Sequence, residues 1–211
     1  MPVPAEPRVD ARAIVHPGTV LGKGTVVGKG AVLGKPARLA ARSTASRDPA
    51  APLRVGDGVR VGAGAVLFAG AVVEREVTIG RGAFVRERAR IGAGAVLEPD
   101  CAVDNDVTLG GGVTIGARAY VTAYSTVEDG VTVGEDVVTT NDDTMGRHPR
   151  GAPLHGATLR RDCRIGAGAV LVPGIEVGQG AQVAPGSIVT RDVTPGARVA
   201  GAPARAEEPG A

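Results

Sequence analysis

The chain has 211 residues, of which 43% are apolar and 2% aromatic, with 33 glycines and a formal net charge of +2. Balanced charge without a basic stripe or stacking aromatics excludes an ordinary nucleic-acid binder, and the apolar content excludes a disordered chain. No apolar run approaches the ~18 residues that cross a bilayer and no charged, apolar leader opens the chain, so a cytoplasmic protein without a membrane or nucleic-acid partner is expected.

An aliphatic residue returns every six positions, in three blocks. The first holds Val15, Leu21, Val27, Leu33 and Leu39; the second runs in register from Val55 to Val133; the third runs from Leu159 to Val189. Neither a helix nor simple alternation produces this period, so it predicts a solenoid. The residue before each key position points outward, and the one before that is usually small or β-branched, as in Ala31, Ala65 and Val107. Each hexad therefore supplies a short extended side, and the second-position glycines (Gly22, Gly56, Gly92, Gly166) are expected to turn the chain at a corner. Three sides close a triangular coil, and about 25 hexads make about eight coils of parallel strands. The fold class is thus an all-β parallel β-helix spanning residues 1–194, with a tail over 195–211.

Along the chain, Lys23, Lys29 and Lys35 lie six apart and are expected on solvated corners. The first break, residues 43–54, carries no catalytic constellation and is expected to be a surface loop or subunit contact. Within the second block, Phe84, Ala102, Tyr120 and Val138 are spaced to stack in one outward apolar column, a natural subunit interface. Cys101 and Cys163 occupy inward positions, where a small buried thiol is the expected role. The second break, residues 139–158, holds His148, His155 and the Thr140-Asn141-Asp142 group, and is the best active-site candidate because chemistry on a regular solenoid must come from its departures.

The repeat resembles the hexapeptide-repeat acyltransferases, whose prism is a left-handed parallel β-helix. The stretch from Tyr124 through Glu128-Asp129 to Thr140-Asn141-Asp142 is similar to that of N-acetyltransferases acting on nucleotide-linked 3-amino sugars, although Pro149-Arg150 follows later here than in that group. The ending, from Ile165 through Val189 to Ala200-Gly-Ala-Pro-Ala-Arg205, resembles the acyl-CoA-binding end of the wider family. The resemblance implies acetyl-CoA as co-substrate, a homotrimer with each site between two prisms, and an amino sugar or nucleotide-linked amino sugar as acceptor. It places cofactor contacts at Gly166, Ala184, Arg191 and Arg205, and substrate contacts at Tyr124, Arg147 and Arg150.

Acyl transfer to an amine needs alignment, an acceptor for the amine proton and a place for the leaving thiolate. Asn141 can accept from the amine, Asp142 can hold a hydroxyl or ammonium, and His148 can serve as general base. If the acceptor is instead a sugar hydroxyl, His148 becomes the required base. A non-catalytic β-helical scaffold would need neither the polar insert nor the acyl-CoA-like ending. A zinc site of the carbonic-anhydrase type on this prism needs three converging imidazoles, whereas His16 lies far in sequence from His148 and His155; no metal is expected.

Overall fold

The computed structural model describes residues 6–41, 43, 45–149 and 151–207. Each hexad forms a strand of mostly two residues, the first facing out and the second buried, as in Thr114–Ile115 and Tyr120–Val121. The strands pair with those one coil away, all in parallel until the last, and build sheets of eleven, nine and eight strands. The first face contains Val26–Val27, Thr78–Ile79 and Thr132–Val133; the second contains Phe84–Val85, Tyr120–Val121 and Val138–Thr139; the third contains Val72–Val73, Thr126–Val127 and Thr158–Leu159. The corner joining the second face to the third is called the second corner below, and the third corner joins the third face to the first.

The buried residues form one apolar column system from Val27 to Val199, with Leu67, Ile91, Leu97, Ile115, Val121 and Leu171 at 0–1% exposure. Burying one such side chain is worth about 1.5–3 kcal/mol, and each gains it only against the neighbouring coil. Ladder bonds such as Thr114 N–H to Val131 O at 3.0 Å hold successive coils together. The inward hydroxyl of Thr25 is satisfied locally: its Oγ1 donates to Gly22 O at 2.7 Å. Cys101 and Cys163 are buried and unpaired, and burial pushes both thiols up to about 12.

Three expectations are corrected. The solenoid has about ten turns rather than eight. Arg8–Val9 adds one side before the first counted hexad, and Val193 with Arg198–Gly201 adds part of a coil at the end. That last coil escapes the six-residue count because Val193 sits beside Val177 and Val199 beside Val183, a spacing two residues short of a full coil. The first insert begins earlier than Ser43: the chain leaves the prism after Val32–Lys35 and returns at Arg54–Val55, so Leu39 is half-buried in the insert and belongs to no strand. The second-position glycines do not turn the chain. The positive φ falls at the fourth position, as at Gly94 (φ 67), Asp106 (φ 56) and Tyr124 (φ 67). Gly92 is required for a different reason: a Cβ there would lie 2.4 Å from the carbonyl carbon of Gly110 in the next coil, and at Gly166 one would lie 2.4 Å from Pro185 N.

Candidate functional site

Both inserts leave the prism at the second corner, where polar side chains stand in place of glycine from Arg86 to Asp142. Successive coils present Arg86-Glu87-Arg88, Asp104-Asn105-Asp106, Thr122-Ala123-Tyr124 and Thr140-Asn141-Asp142 at this corner. Glu87 is 1% exposed and is gripped by Arg86, whose Nη2 and Nε donate to its two oxygens at 2.8 and 3.0 Å. Arg86 Nη1 also donates to Asp104 at 2.9 Å, and the Tyr120 hydroxyl donates to the other Asp104 oxygen at 2.7 Å. Burial and that bond push the Tyr120 phenol up to about 12, so it remains a donor. Arg88 makes a two-pronged pair with Asp106 at 2.7 and 2.9 Å. Burial of Asp106 opposes its ionisation, but the bonds from Arg88 and Asn105 outweigh this and hold its carboxyl below the usual range.

Farther along this corner the second insert begins. Thr139 is a buried hydroxyl in a column position, and its Oγ1 accepts from Thr122 N–H at 2.8 Å. Thr140 Oγ1 donates to Leu171 O at 3.1 Å, and Asn141 Nδ2 donates to Ala123 O at 3.3 Å. With its amide nitrogen tied to the prism, Asn141 presents its carbonyl oxygen as the other end of the group. Asp142 organises the insert that follows. One of its oxygens accepts from the hydroxyl and the amide of Thr144 at 2.6 and 2.8 Å, and the other from the Gly146 amide at 2.6 Å. The Thr144 hydroxyl bond, then the two amides, hold the Asp142 carboxyl below its ordinary value, so it is ionised near neutrality.

His148 folds back toward this carboxylate, its Nε2 lying 4.0 Å from Asp142 Oδ2. Its Nδ1 lies 3.1 Å from Pro149 O. A carbonyl can only accept, so this contact puts a proton on Nδ1, and in the neutral ring Nε2 then carries the lone pair. Tyr124, Asn141, Asp142 and His148 line one cleft of about 680 Å3, together with His155 and Gly174. A second cleft of about 970 Å3 shares Tyr124 and His148 and reaches Ser43 and Arg47 of the first insert.

The structure therefore brings four expected site residues together, Tyr124, Asn141, Asp142 and His148. Arg147 is exposed and lines neither cleft. Arg150 lies outside the described residues. Gly166 and Ala184 stack on each other at the corner between the first and second faces, away from the cleft. Arg191 follows Ile188–Val189 at the second corner, two coils beyond Asn141, whereas Arg205 lies on Ala204–Ala206, paired antiparallel at the end of the first face. His16 belongs to a coil near the start of the prism. Glu128 and Asp129 sit at the third corner, clamped by Arg160 at 2.8 Å and Arg161 at 3.2 Å, and face neither cleft. The first insert was expected to be a surface loop or subunit contact without a catalytic constellation; its Ser43 and Arg47 wall the second cleft. Among the described residues, no group of three His, Cys, Asp or Glu is placed to hold a metal ion.

A family model described as the hexapeptide repeat of succinyl-transferase matches residues 106–141 and 161–191, the repeats on either side of the second insert. The UDP-N-acetylglucosamine O-acyltransferase of Moraxella catarrhalis is 16% identical with a TM-score of 0.58, covering 94% of this chain and 73% of its own. An N-acyltransferase from Bacillus cereus, solved with dTDP-4-amino-4,6-dideoxyglucose and coenzyme A, is 18% identical with a TM-score of 0.54 over 63% of this chain and 80% of that one. Soybean serine acetyltransferase is 24% identical over 48% of this chain, with a TM-score of 0.43, and the chain spans only 40% of its length. No curated protein matches the chain. The family model and the two likenesses with TM-scores of 0.58 and 0.54 support a parallel solenoid of hexapeptide repeats.

Proposed function

We propose that this hexapeptide-repeat solenoid is an acyl-CoA-dependent acyltransferase that moves an acetyl group to the amine of an amino sugar or nucleotide-linked amino sugar. The observation that carries the reading is the cleft at the second corner, where Asn141, anchored to Ala123 O, stands beside ionised Asp142 and the Nε2 lone pair of His148. In the step itself the amine nitrogen attacks the thioester carbonyl, the carbon–sulfur bond breaks, and the amine proton passes to His148 Nε2 or to the departing thiolate. Asn141 Oδ1 orients the amine, and Asp142 attracts its ammonium form or holds a neighbouring hydroxyl. The Bacillus cereus protein of similar fold, which holds a sugar nucleotide and coenzyme A, supports the same substrate class.

A homotrimer fits the outer surface of the second face. Its outward residues, Ile14, Val32, Val66, Phe84, Ala102, Tyr120, Val138, Val170 and Ile188, are nearly all apolar, whereas the first and third faces carry Arg60, Arg90, Thr108 and Arg164 at the equivalent positions. Within one chain this face separates Gly166 and Ala184 from the cleft. A second prism packed against it would bring its Gly166 corner toward the cleft of the first, as an acyl-CoA site between subunits requires. Arg191, and Arg205 at the end of the prism, then suit the nucleotide phosphates of CoA.

A hydroxyl acceptor is the second reading, favoured by the Nδ1 contact to Pro149 O that leaves His148 Nε2 as a base. Free-thiol release from acetyl-CoA, measured against a panel of amino sugars and nucleotide-linked amino sugars, tests the main reading. Asn141→Ala should lose most of kcat while His148→Ala keeps appreciable turnover. For a hydroxyl acceptor the order reverses, and His148→Ala should fall by about 10²–10⁴-fold. Wild-type kinetics in both variants would remove the cleft from the chemistry.

A further inference from the structure

The two clefts share Tyr124, His148, Ala152, Pro153 and Leu154 but differ in charge. The first is lined by the carboxylates of Asp142 and Asp143, which suit an amine and sugar hydroxyls. The second has no carboxylate among its described lining residues, and its only permanently charged group is the Arg47 guanidinium. Arg47 comes from an insert braced by its own bonds: Ser43 N–H donates to Ala40 O at 3.0 Å, and Ala45 N–H to Ser43 Oγ at 3.2 Å, with Ala45 buried. Arg47 Nη2 donates to the carbonyls of Ala40 and Ala41 at 3.1 and 3.3 Å. These neutral acceptors fix the side chain without cancelling its charge, and among the described residues no carboxylate lies within ion-pair distance of it. The nearby carboxylate of Asp48 is engaged by the Ser46 hydroxyl at 2.8 Å.

A guanidinium positioned through one nitrogen still has the planar fork of donors that matches a phosphate group. Apart from Ser43 and His148 the rest of the cleft is apolar or aromatic, with Tyr124, Pro153 and Leu154 placed to pack against a ring. A volume of about 970 Å3 is large for a lone sugar and falls at the upper end of the range of ordinary ligand pockets.

We propose that the second cleft is an anion subsite in which Arg47 binds a phosphate group of the acceptor, whose amine lies in the first cleft. The inference rests on the acyl-transfer reading above and narrows it: the acceptor carries an amine at one end and a phosphate at the other, as a sugar phosphate or a nucleoside diphosphate sugar does. Tyr124 and His148, shared by both clefts, mark the junction at which the sugar ring sits. The first insert, which has no repeat of its own, is then a specificity element.

Titration calorimetry of UDP, dTDP and glucosamine 1-phosphate tests binding without requiring turnover. Wild type should bind at least one of them. Arg47→Gln should weaken it about ten- to a hundredfold, the range expected for a lost charge-assisted hydrogen bond. Arg47→Lys should keep part of the affinity, and Arg75→Gln, exposed at the third corner, should leave it unchanged. Binding of the nucleotides alone identifies a nucleoside diphosphate as the source of the phosphate, and binding of the sugar phosphate alone identifies a simple phosphosugar.

The proposal is overturned if none of the three binds wild type, or if Arg47→Gln binds like wild type. It is also overturned if the variant raises KM for acetyl-CoA instead, since the cleft would then belong to the donor. Should Arg47→Gln lose the native far-UV spectrum, Arg47→Lys decides by the same criteria. If no amine releases thiol from acetyl-CoA yet phosphate binding depends on Arg47, the acyl-transfer reading fails and the anion subsite stands.

Discussion

The second and third corners of the prism are built from the same hexad, yet they solve the stacking problem in opposite ways. At the third corner Gly22, Gly56, Gly92, Gly110 and Gly178 recur at the position after the column residue, and an added Cβ at any of them would meet the next coil's backbone or side chains within 2.7 Å. Of the corresponding positions of the second corner only Gly34 is a glycine; the others hold His16, Phe68, Arg86, Asp104, Thr122, Thr140, Val172 and Thr190. The third corner closes mostly by removing side chains, with Glu74, Glu128 and Arg160 between its glycines; the second keeps them and ties them together through Arg86, Glu87, Asp104 and Tyr120. A regular solenoid therefore carries a site where its backbones make room for side chains, and both inserts emerge there.

The largest effect is expected where neither solution is available. Ile115→Asp places a charge in a column where Ile115 is fully buried and should cost about 3–5 kcal/mol, measured by denaturant unfolding. Next, Gly92→Ala should cost about 1–3 kcal/mol, because its methyl would sit 2.4 Å from a backbone carbon. Asp104→Ala, at the equivalent position of the second corner, should cost about 1 kcal/mol through its lost bonds to Arg86 and Tyr120. If Gly92→Ala unfolds no more easily than wild type, the contrast between the corners collapses.

A local effect is expected at Asp142. A carboxyl whose pKa is depressed on folding contributes stability that is present above its ordinary value of 3.8 and is lost as pH falls through the lower folded value. Amide-exchange protection at Thr144 and Gly146 should therefore persist down to about pH 4 and vanish at lower pH, while the prism ladder stays protected. Loss of this protection between pH 5 and 7 would show that Asp142 does not order the insert. The smallest effect belongs to Lys29→Asp, on an exposed corner, which should change stability by less than about 0.5 kcal/mol.

The prism was legible because its stability rests on a periodic rule: every column residue from Val55 to Val133 is aliphatic, so the six-residue count finds each coil they build. It failed where burial continues at another spacing, as at Val193 and Val199, and where an aliphatic residue falls in phase by chance, as at Leu39. The cluster of Tyr124, Asn141, Asp142 and His148 was legible because an eighteen-residue step from Tyr124 reaches Asp142 and the insert follows at once. That same step links Arg88, Asp106 and Tyr124, so the second corner was open to discovery by sorting the hexads into three sets and asking which set has the fewest glycines after the column residue. Arg47 had no such signal. Its place is set by the bonds of an aperiodic insert to its own carbonyls, and no count along the chain reports where such a loop comes to rest.

Cys101 and Cys163 lie at different heights in this stack, one beside the second face and one beside the first, each with its thiol pushed up to about 12. A thiol reagent consumes the thiolate, so neither sulfur can be labelled until its coil has separated from its neighbours. The chain thereby carries two native reporters of unzipping. Comparing their labelling rates under native conditions would show which end of the solenoid comes apart first, with no foreign residue introduced.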